Sequence, residues 1–130
     1  LESGPPVRAA ADLTRFTLLH VAAEPAAWRR WFDYAGAPEA EVAPGITFDQ
    51  SITAIQAAID GLGVALGRTP FVHAELDAGV LVAPVPTLLS DDEDFYIVAP
   101  EDNAERAPIM AFRQWMLREV QAELASMKKL

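Results

Sequence analysis

The stretch from Ile46 to Leu66, ITFDQSITAIQAAIDGLGVAL, has the apolar pattern of a strand, a helix and a second strand. Apolar and polar residues alternate at its start, which is typical of a half-buried strand. Apolar residues then recur at helical spacing, at Ile52, Ile55 and Ile59. We expect Gly61 and Gly63 to end this helix, because a helix commonly stops where glycine adopts positive φ. The apolar residues 64–66 predict the second strand.

The junction between the first strand and this helix is a candidate binding site. Asp49 and Ser51 are both candidates for the helix N-cap, because a short side-chain oxygen can accept a hydrogen bond from an otherwise unpaired backbone amide. A helix that begins just after a strand directs the positive end of its dipole beyond the carboxyl edge of the sheet. The sequence therefore predicts a ligand site at this junction.

The rest of the chain alternates between strand and helix patterns. Short apolar runs predict further strands at Phe16–Ala22, Val80–Val85 and Phe95–Ala99. Apolar stripes and terminal Pro or Gly residues predict helices around Trp28–Ala35, Pro70–Asp77 and Pro108–Met127. Residues 1–13 and 87–94 are expected to be irregular. This alternation predicts an α/β fold with a largely parallel sheet, in which ligands bind beyond the carboxyl ends of the strands.

Two apolar stripes are expected to be buried. The last helix carries Ile109, Phe112, Met116, Val120 and Leu124 at helical spacing. Trp28 and Trp31 lie on one face of the first helix. They are expected in the core or at a subunit interface, and the acidic charge of the chain argues against a base-stacking role.

The composition is that of a globular chain. Hydrophobic residues make up 52% and charged residues 22% of the 130 positions. The net charge of −9 argues against these residues gripping a phosphate backbone. The absence of cysteine fits a reducing compartment, and no apolar run reaches the about 18 residues that a membrane span needs. The start, LESGPPVRAA, lacks the pattern of a signal peptide and an initiator methionine, so we expect a fragment of a longer protein.

Catalytic and metal-binding patterns are weak. His20 lies in an apolar strand and His73 in a short helix, each without a nucleophile or ligand partner at useful spacing. The acidic run SDDED at 90–94 lacks the glycine and the distal glutamate of a calcium loop. GLGVALG follows a helix, whereas a phosphate-binding loop precedes one. We therefore expect no catalytic residue, metal site or cofactor.

Six segments occur in an order that is informative as a set. They are Trp28-Arg29-Arg30-Trp31, Phe48-Asp49-Gln50-Ser51, Ala57–Leu66, Leu76–Val82, Tyr96-Ile97-Val98 and Phe112–Glu119. This order resembles LysR-type transcriptional regulators, in particular the branch related to the glycine-cleavage activator and the β-lactamase regulator. The resemblance covers nearly the whole chain.

The resemblance implies an effector-binding domain similar to type 2 periplasmic binding proteins, with two α/β subdomains. Residues 1–85 would form most of the second subdomain. Residues 86–130 would return to the first subdomain through a crossover, a strand and the C-terminal helix. The DNA-binding domain of the family has no counterpart in these residues, so DNA would be a partner only through that domain.

In relatives the effector lies between the subdomains, which points to Phe48, Gln50, Ser51 and Tyr96 as effector-binding residues. Ser51 and the nearby helix amides suit a small anionic metabolite. Two structural alternatives stay open: Ser51 as a plain N-cap and Tyr96 as a packed strand residue. A stand-alone solute-binding protein of the periplasmic type is the alternative function, and a small enzyme is a third.

The resemblance also places the stripe of the last helix against a sheet that this chain mostly lacks. An exposed stripe would leave a large apolar patch, which soluble monomers rarely tolerate. We therefore expect the helix to pack on another copy, to be domain-swapped or to dock elsewhere. The family implies a cytoplasmic homo-oligomer that does not contact membranes.

Overall fold

The computed structural model describes residues 6–89 and 96–127, and within these ranges the side chains of all but residues 70 and 123–127. The chain forms two compact units, Leu1–Leu89 and Ser90–Leu130. The first unit contains a three-stranded parallel sheet, and the second contains a long helix. Within the described residues, no helix has the length and apolar character that a membrane span requires.

The sheet of the first unit has the order β2-β1-β3. Its strands are β1 (Leu18–Val21), β2 (Ile46–Phe48) and β3 (Val64–Ala65), and its helices are α1 (Ala27–Tyr34), α2 (Ser51–Ile59) and α3 (Thr69–Asp77). Leu19 of β1 is in register with Ile46 of β2 on one side and with Ala65 of β3 on the other. Since all neighbours are parallel, the carboxyl ends of the three strands meet at one edge.

The central strand β1 is buried on both faces of the sheet. Leu18 and Leu19 are each 2% exposed, and successive strand residues point to opposite faces. Leu18 belongs to a core cluster with Trp28 of α1, whereas Leu19 packs in a separate cluster with Ala54 of α2. A short continuous apolar run is what a strand covered on both faces requires. The predicted strand at Phe16–Ala22 is confirmed.

An aromatic cluster fixes α1 on its face of the sheet. Trp28, Trp31 and Phe32 are buried, and their ring centroids lie 5.5–6.0 Å apart. The indole N–H of Trp28 donates a 3.0 Å hydrogen bond to the backbone oxygen of Leu19. A buried indole needs such a partner for its only donor. Of the two expected places for the tryptophans, the core is confirmed.

Gly61 and Gly63 have different roles. Gly61 has φ of +79° just after α2, so it permits the turn that follows the helix, as expected. A Cβ added to Gly63 would lie 2.2 Å from the backbone oxygen of Thr17. The same oxygen accepts a 2.9 Å hydrogen bond from the amide of Val64. Gly63 is therefore needed for the close approach of the chain to β1.

The first 13 residues are less irregular than expected, because Ala10–Arg15 forms a 3-10 helix. The carboxylate of Asp12 accepts hydrogen bonds from the backbone amides of Arg8, at 2.9 Å, and Ala9, at 3.1 Å. These two amides hold the pKa of the Asp12 carboxyl below its usual range, with a further contribution from Arg15. The ionised side chain thus organises the start of this helix, which apolar periodicity does not reveal.

The predicted strand at Val80–Val85 is wrong. The backbone amides of Val80 and Leu81 both donate to the oxygen of Glu75, so this segment folds back on the end of α3. Pro84 and Pro86 then remove two donors that a sheet would need. This segment has the apolar composition of a strand, but several of its backbone groups cannot pair with a neighbouring strand.

The predicted strand at Phe95–Ala99 is also wrong over its described residues. Residues 96–100 have no regular structure, and Tyr96 and Val98 are 78% and 87% exposed. The described part of the second unit holds no strand with which they pair, and Pro100 ends the run. Phe95 and the SDDED segment lie outside the described residues.

The predicted terminal helix is present as α4 (Ala107–Met127), preceded by a 3-10 turn at Glu101–Asn103. Its stripe is not buried as expected: Phe112 and Val120 are 51% and 43% exposed, while Ile109 and Met116 are half-buried. Within the described residues of this unit, no sheet covers the stripe. The side chain of Leu124 lies outside the described set.

Candidate functional site

Three loops meet beyond the carboxyl edge of the sheet. β2 ends at Phe48 and α2 begins at Ser51, so only two residues separate them. The loop after β1 carries Glu24, and the loop after β3 carries Arg68. Parallel strands place such loops side by side, which is why this edge is the usual ligand site in α/β proteins.

The N-cap of α2 differs from the expected residue. Gln50 occupies that position with an extended backbone, φ −132° and ψ 146°, and its side chain makes no capping hydrogen bond. Ser51 is instead the first helical residue and is exposed, and Asp49 is exposed before the cap. The prediction that Asp49 or Ser51 caps the helix is therefore wrong. As a result, capping does not occupy the Ser51 hydroxyl.

Thr53 takes part in the first turn of α2. Its hydroxyl donates a 2.7 Å hydrogen bond to the backbone oxygen of Gln50, and the amide of Ala54 reaches the same oxygen at 3.3 Å. This oxygen anchors the start of the helix through two donors. The arrangement fixes the position of Ser51 without using its side chain.

A cavity of about 280 Å³ opens beside the first turn of α2. It is lined by Ser51, Ile52, Ile55, Arg68 and Phe71. Its two walls are the first two turns of α2 and the start of α3, where Arg68 is the N-cap. The cavity thus combines three apolar side chains with one hydroxyl and one guanidinium group.

Of the four residues expected to bind the effector, one lines the cavity and three do not. Ser51 lines the cavity, and Gln50 is exposed just before it. Phe48 is half-buried and packs against the apolar cluster around Leu19. Tyr96 belongs to the second unit and is 78% exposed, so the alternative of a packed strand residue is wrong.

Arg68 was not predicted from the sequence, where residues 67–69 indicate only a turn. Its Nη2 donates a 3.0 Å hydrogen bond to Oε1 of Glu24, in a pair that is about one-third exposed. The other oxygen of Glu24 lies 3.6 Å from Nη2 of Arg30. One signal was available: Arg68 lies three residues after the end of β3, in a chain with 10 lysines and arginines against 19 acidic residues.

The two histidines contact groups of the fold. Nε2 of His20 lies 3.3 Å from the backbone oxygen of Ala43, and Nε2 of His73 lies 3.3 Å from a carboxylate oxygen of Asp77. Across residues 6–89 and 96–127, no three or more His, Asp or Glu side chains are grouped to hold a metal ion. Both histidines therefore have a structural explanation.

Residues 1–121 match the family profile described as the LysR substrate binding domain. The chain belongs to this family. The resemblance seen in the sequence is confirmed: the chain is part of a LysR substrate-binding domain, here the LysR domain.

The relatives of the LysR domain include two activators. The glycine cleavage system transcriptional activator of Escherichia coli K12 is 37% identical over 118 residues, which are 91% of this chain and 38% of the relative. The HTH-type transcriptional activator AmpR of Pseudomonas aeruginosa is 31% identical over 114 residues, 87% of this chain and 38% of the relative. The LysR domain thus spans well under half the length of each. Both are regulators and not enzymes, which fits the expectation of no catalytic role.

A solved structure supports the fold. The effector domain of AmpR from Pseudomonas aeruginosa matches with a TM-score of 0.66 and 26% identity, over 92% of this chain and 57% of that domain. The expected α/β fold of the periplasmic-binding-protein type is confirmed. The LysR domain therefore has the fold of a LysR substrate-binding domain and corresponds to part of that domain.

Proposed function

We propose that the LysR domain binds a small anionic metabolite at the junction of β2 and α2. The observation that carries this proposal is the position of Ser51, which opens α2 with only two residues between it and a parallel strand, and which lines a cavity there. The positive end of the α2 dipole favours negative charge at this place. The hydroxyl of Ser51 does not cap the helix and can donate a hydrogen bond to such a ligand.

The proposed site also includes Phe48, Gln50 and Tyr96. Gln50 is exposed beside Ser51, and its amide can donate or accept. Phe48, the last residue of β2, supports the junction by packing against the apolar cluster of Leu19 and α2. Tyr96 offers an exposed aromatic face with a polar tip. In this proposal residues 1–85 form most of one subdomain, and residues 86–130 return to the other.

In the intact regulator, the ligand would act by favouring one arrangement of subdomains or subunits over another. DNA contact would belong to a segment outside this chain, and the regulator would be a cytoplasmic homo-oligomer. The curated relatives named above are transcriptional regulators, which favours this function over a stand-alone solute-binding protein. The exposed Phe112, Trp115 and Val120 of α4 support the expectation that another surface covers this helix.

The proposal is tested by a thermal-shift screen of anionic metabolites and their neutral analogues, followed by calorimetry. Ser51→Ala should weaken the ligand found by about tenfold, because a hydrogen bond to a charged group is lost. Tyr96→Phe should weaken it less, by about threefold, because the ring remains. Gln56→Ala is the matched control, since Gln56 is exposed on α2, bonds Asp60 and does not line the cavity.

Two results would contradict the proposed site. One is a screen of anions and neutral analogues in which no compound stabilises the protein. The other is a bound ligand whose affinity is the same for the wild type, Ser51→Ala and Tyr96→Phe. A ligand that is weakened equally by Gln56→Ala would point to loss of helix integrity instead of loss of a ligand contact.

A further inference from the structure

The cavity beside α2 has a chemically divided lining. Ile52, Ile55 and Phe71 present apolar surface, whereas Ser51 and Arg68 present polar groups. Its volume of about 280 Å³ lies just below the about 300–1,000 Å³ that is usual for ligand pockets, so only a small ligand fits. A lining of this kind suits a small ligand with one polar end and one apolar body.

The charge of the cavity lining indicates which chemical group the polar end of the ligand carries. Among the described residues that line this cavity, Arg68 is the one with a charge, although the chain as a whole carries −9. Guanidinium groups bind carboxylates through two parallel N–H donors, and they remain charged at any physiological pH. A cationic ligand would meet Arg68 as a like charge, whereas a ligand carboxylate could accept from the guanidinium that already donates to Glu24.

We propose that this cavity binds a small monocarboxylate with an apolar body, and that Arg68 is the residue that selects the carboxylate. Arg68 and Ser51 hold the carboxylate oxygens, and Ile52, Ile55 and Phe71 enclose the body. This inference rests on the proposed function, because Ser51 belongs to both. It adds the ligand class and a residue that neither the sequence pattern nor the family resemblance indicated.

Glu24 gives this proposal a second consequence. Its carboxylate already contacts Arg68 at 3.0 Å, so it is positioned as the ligand carboxylate would be. A ligand must therefore share Arg68 with Glu24 or displace it. Glu24 retains a second cation on displacement, because Arg30 lies 3.6 Å from its other oxygen. Glu24 thus acts as an internal competitor that lowers the affinity for carboxylates.

The two partners should consequently respond in opposite directions. The experiment is calorimetric titration of the whole chain with hexanoate and 3-phenylpropanoate, each compared with its neutral amide. Wild type should bind the carboxylates about tenfold more tightly than the amides, and Arg68→Gln should abolish this preference. Glu24→Gln should instead tighten carboxylate binding by about threefold, because the competitor is gone.

Two further variants keep the test specific. Arg68→Lys retains the charge without the planar fork, so the carboxylate preference should fall only in part. Arg30→Gln is the control, since Arg30 contacts Glu24 but does not line the cavity, and it should change affinity by less than about twofold. Circular dichroism melting of each variant checks folding, which this partly exposed ion pair should affect little.

The inference is overturned if wild type binds neither carboxylate, if it does not prefer carboxylates over amides, or if Arg68→Gln keeps the preference. Its failure can be separated from failure of the proposed function. If the metabolite screen finds a ligand that depends on Ser51 but not on Arg68, only the monocarboxylate inference fails. If the screen finds no ligand at all, the proposed function fails as well.

Discussion

Trp28→Ala is expected to lower the free energy of unfolding by about 3–5 kcal/mol, the range for large aromatic residues removed from a core. Trp28 is 2% exposed, contacts the rings of Trp31 and Phe32, and donates its indole N–H to Leu19. The substitution leaves a cavity and an acceptor without its partner. Urea denaturation followed by circular dichroism measures the change.

Two further variants sharpen this result. Tyr34→Ala is the matched control, because Tyr34 lies on the same helix but is 57% exposed, and it should cost less than about 1 kcal/mol. Trp28→Phe keeps an aromatic ring and loses the donor, so an intermediate cost of about 1–3 kcal/mol is expected. A cost for Trp28→Ala no larger than that for Tyr34→Ala would mean that this cluster does not form the core.

Gly63→Ala is expected to destabilise the chain by about 3 kcal/mol, at the upper end of the cost of overpacking. Its Cβ would lie 2.2 Å from the backbone oxygen of Thr17, and neither backbone can move without breaking the pairing of β1 and β3. The amide bond from Val64 to that same oxygen would be disturbed as well. The change is measured by urea denaturation of the purified variant.

Gly61→Ala is the comparison that separates the cost of a steric clash, expected at Gly63, from the cost of an unfavourable backbone conformation. Gly61 has φ of +79° and open space around it, so alanine there meets only the conformational cost of about 1–2 kcal/mol. The two glycines are two residues apart in sequence, which makes the comparison close. Equal costs, or a larger cost at Gly61, would contradict the proposed packing of the Gly63 segment against β1.

Trp28→Ala and Gly63→Ala should also affect ligand binding, because the core of the first unit positions the proposed site. β1 pairs with β2 through Leu19 and Ile46, and β2 leads directly to Ser51. The indole of Trp28 bonds to the Leu19 residue of that pair. Loss of the aromatic cluster would therefore weaken the pairing of β1 with β2, the strand that leads to the proposed ligand site.

Local sequence patterns predicted those elements whose stability depends on short-range features. The helices that became α1, α2, α3 and α4 have apolar stripes or terminal Pro and Gly residues that are visible within one segment. The strands β1 and β3 were predicted from short apolar runs, and β2 was predicted from the alternation of apolar and polar residues at its position. The turn at Gly61 followed from the conformational freedom of glycine.

The errors came from interactions that a single segment does not contain. A strand requires a partner, and residues 80–85 bond back to α3 while residues 96–99 have no strand partner among the described residues of their unit. Composition alone does not reveal this. The predicted N-cap of α2 was wrong because Gln50 is the cap and Ser51 is the first helical residue. The apolar pattern does not fix the end of a helix to within one residue.

The candidate site was predicted only in part for the same reason. Ser51 was found because the strand and the helix are adjacent in the chain. Arg68 was missed because its pairing with Glu24 spans 44 residues and depends on β1 and β3 being neighbours in the sheet. The family resemblance supplied Phe48, Gln50, Ser51 and Tyr96, but it did not indicate a charge partner on the α3 side of the cavity.

The most direct test of the central claim is a titration of isotope-labelled chain with the ligand found by the metabolite screen, followed by NMR of the backbone amides. If the ligand binds at the β2–α2 junction, the largest shift changes should occur in residues 48–55 and 68–71, with a further change at Tyr96. The amides of α1, which lies on the other face of the sheet from α2, should change little. Changes confined to α1 or α4, with residues 48–55 unaffected, would contradict the account.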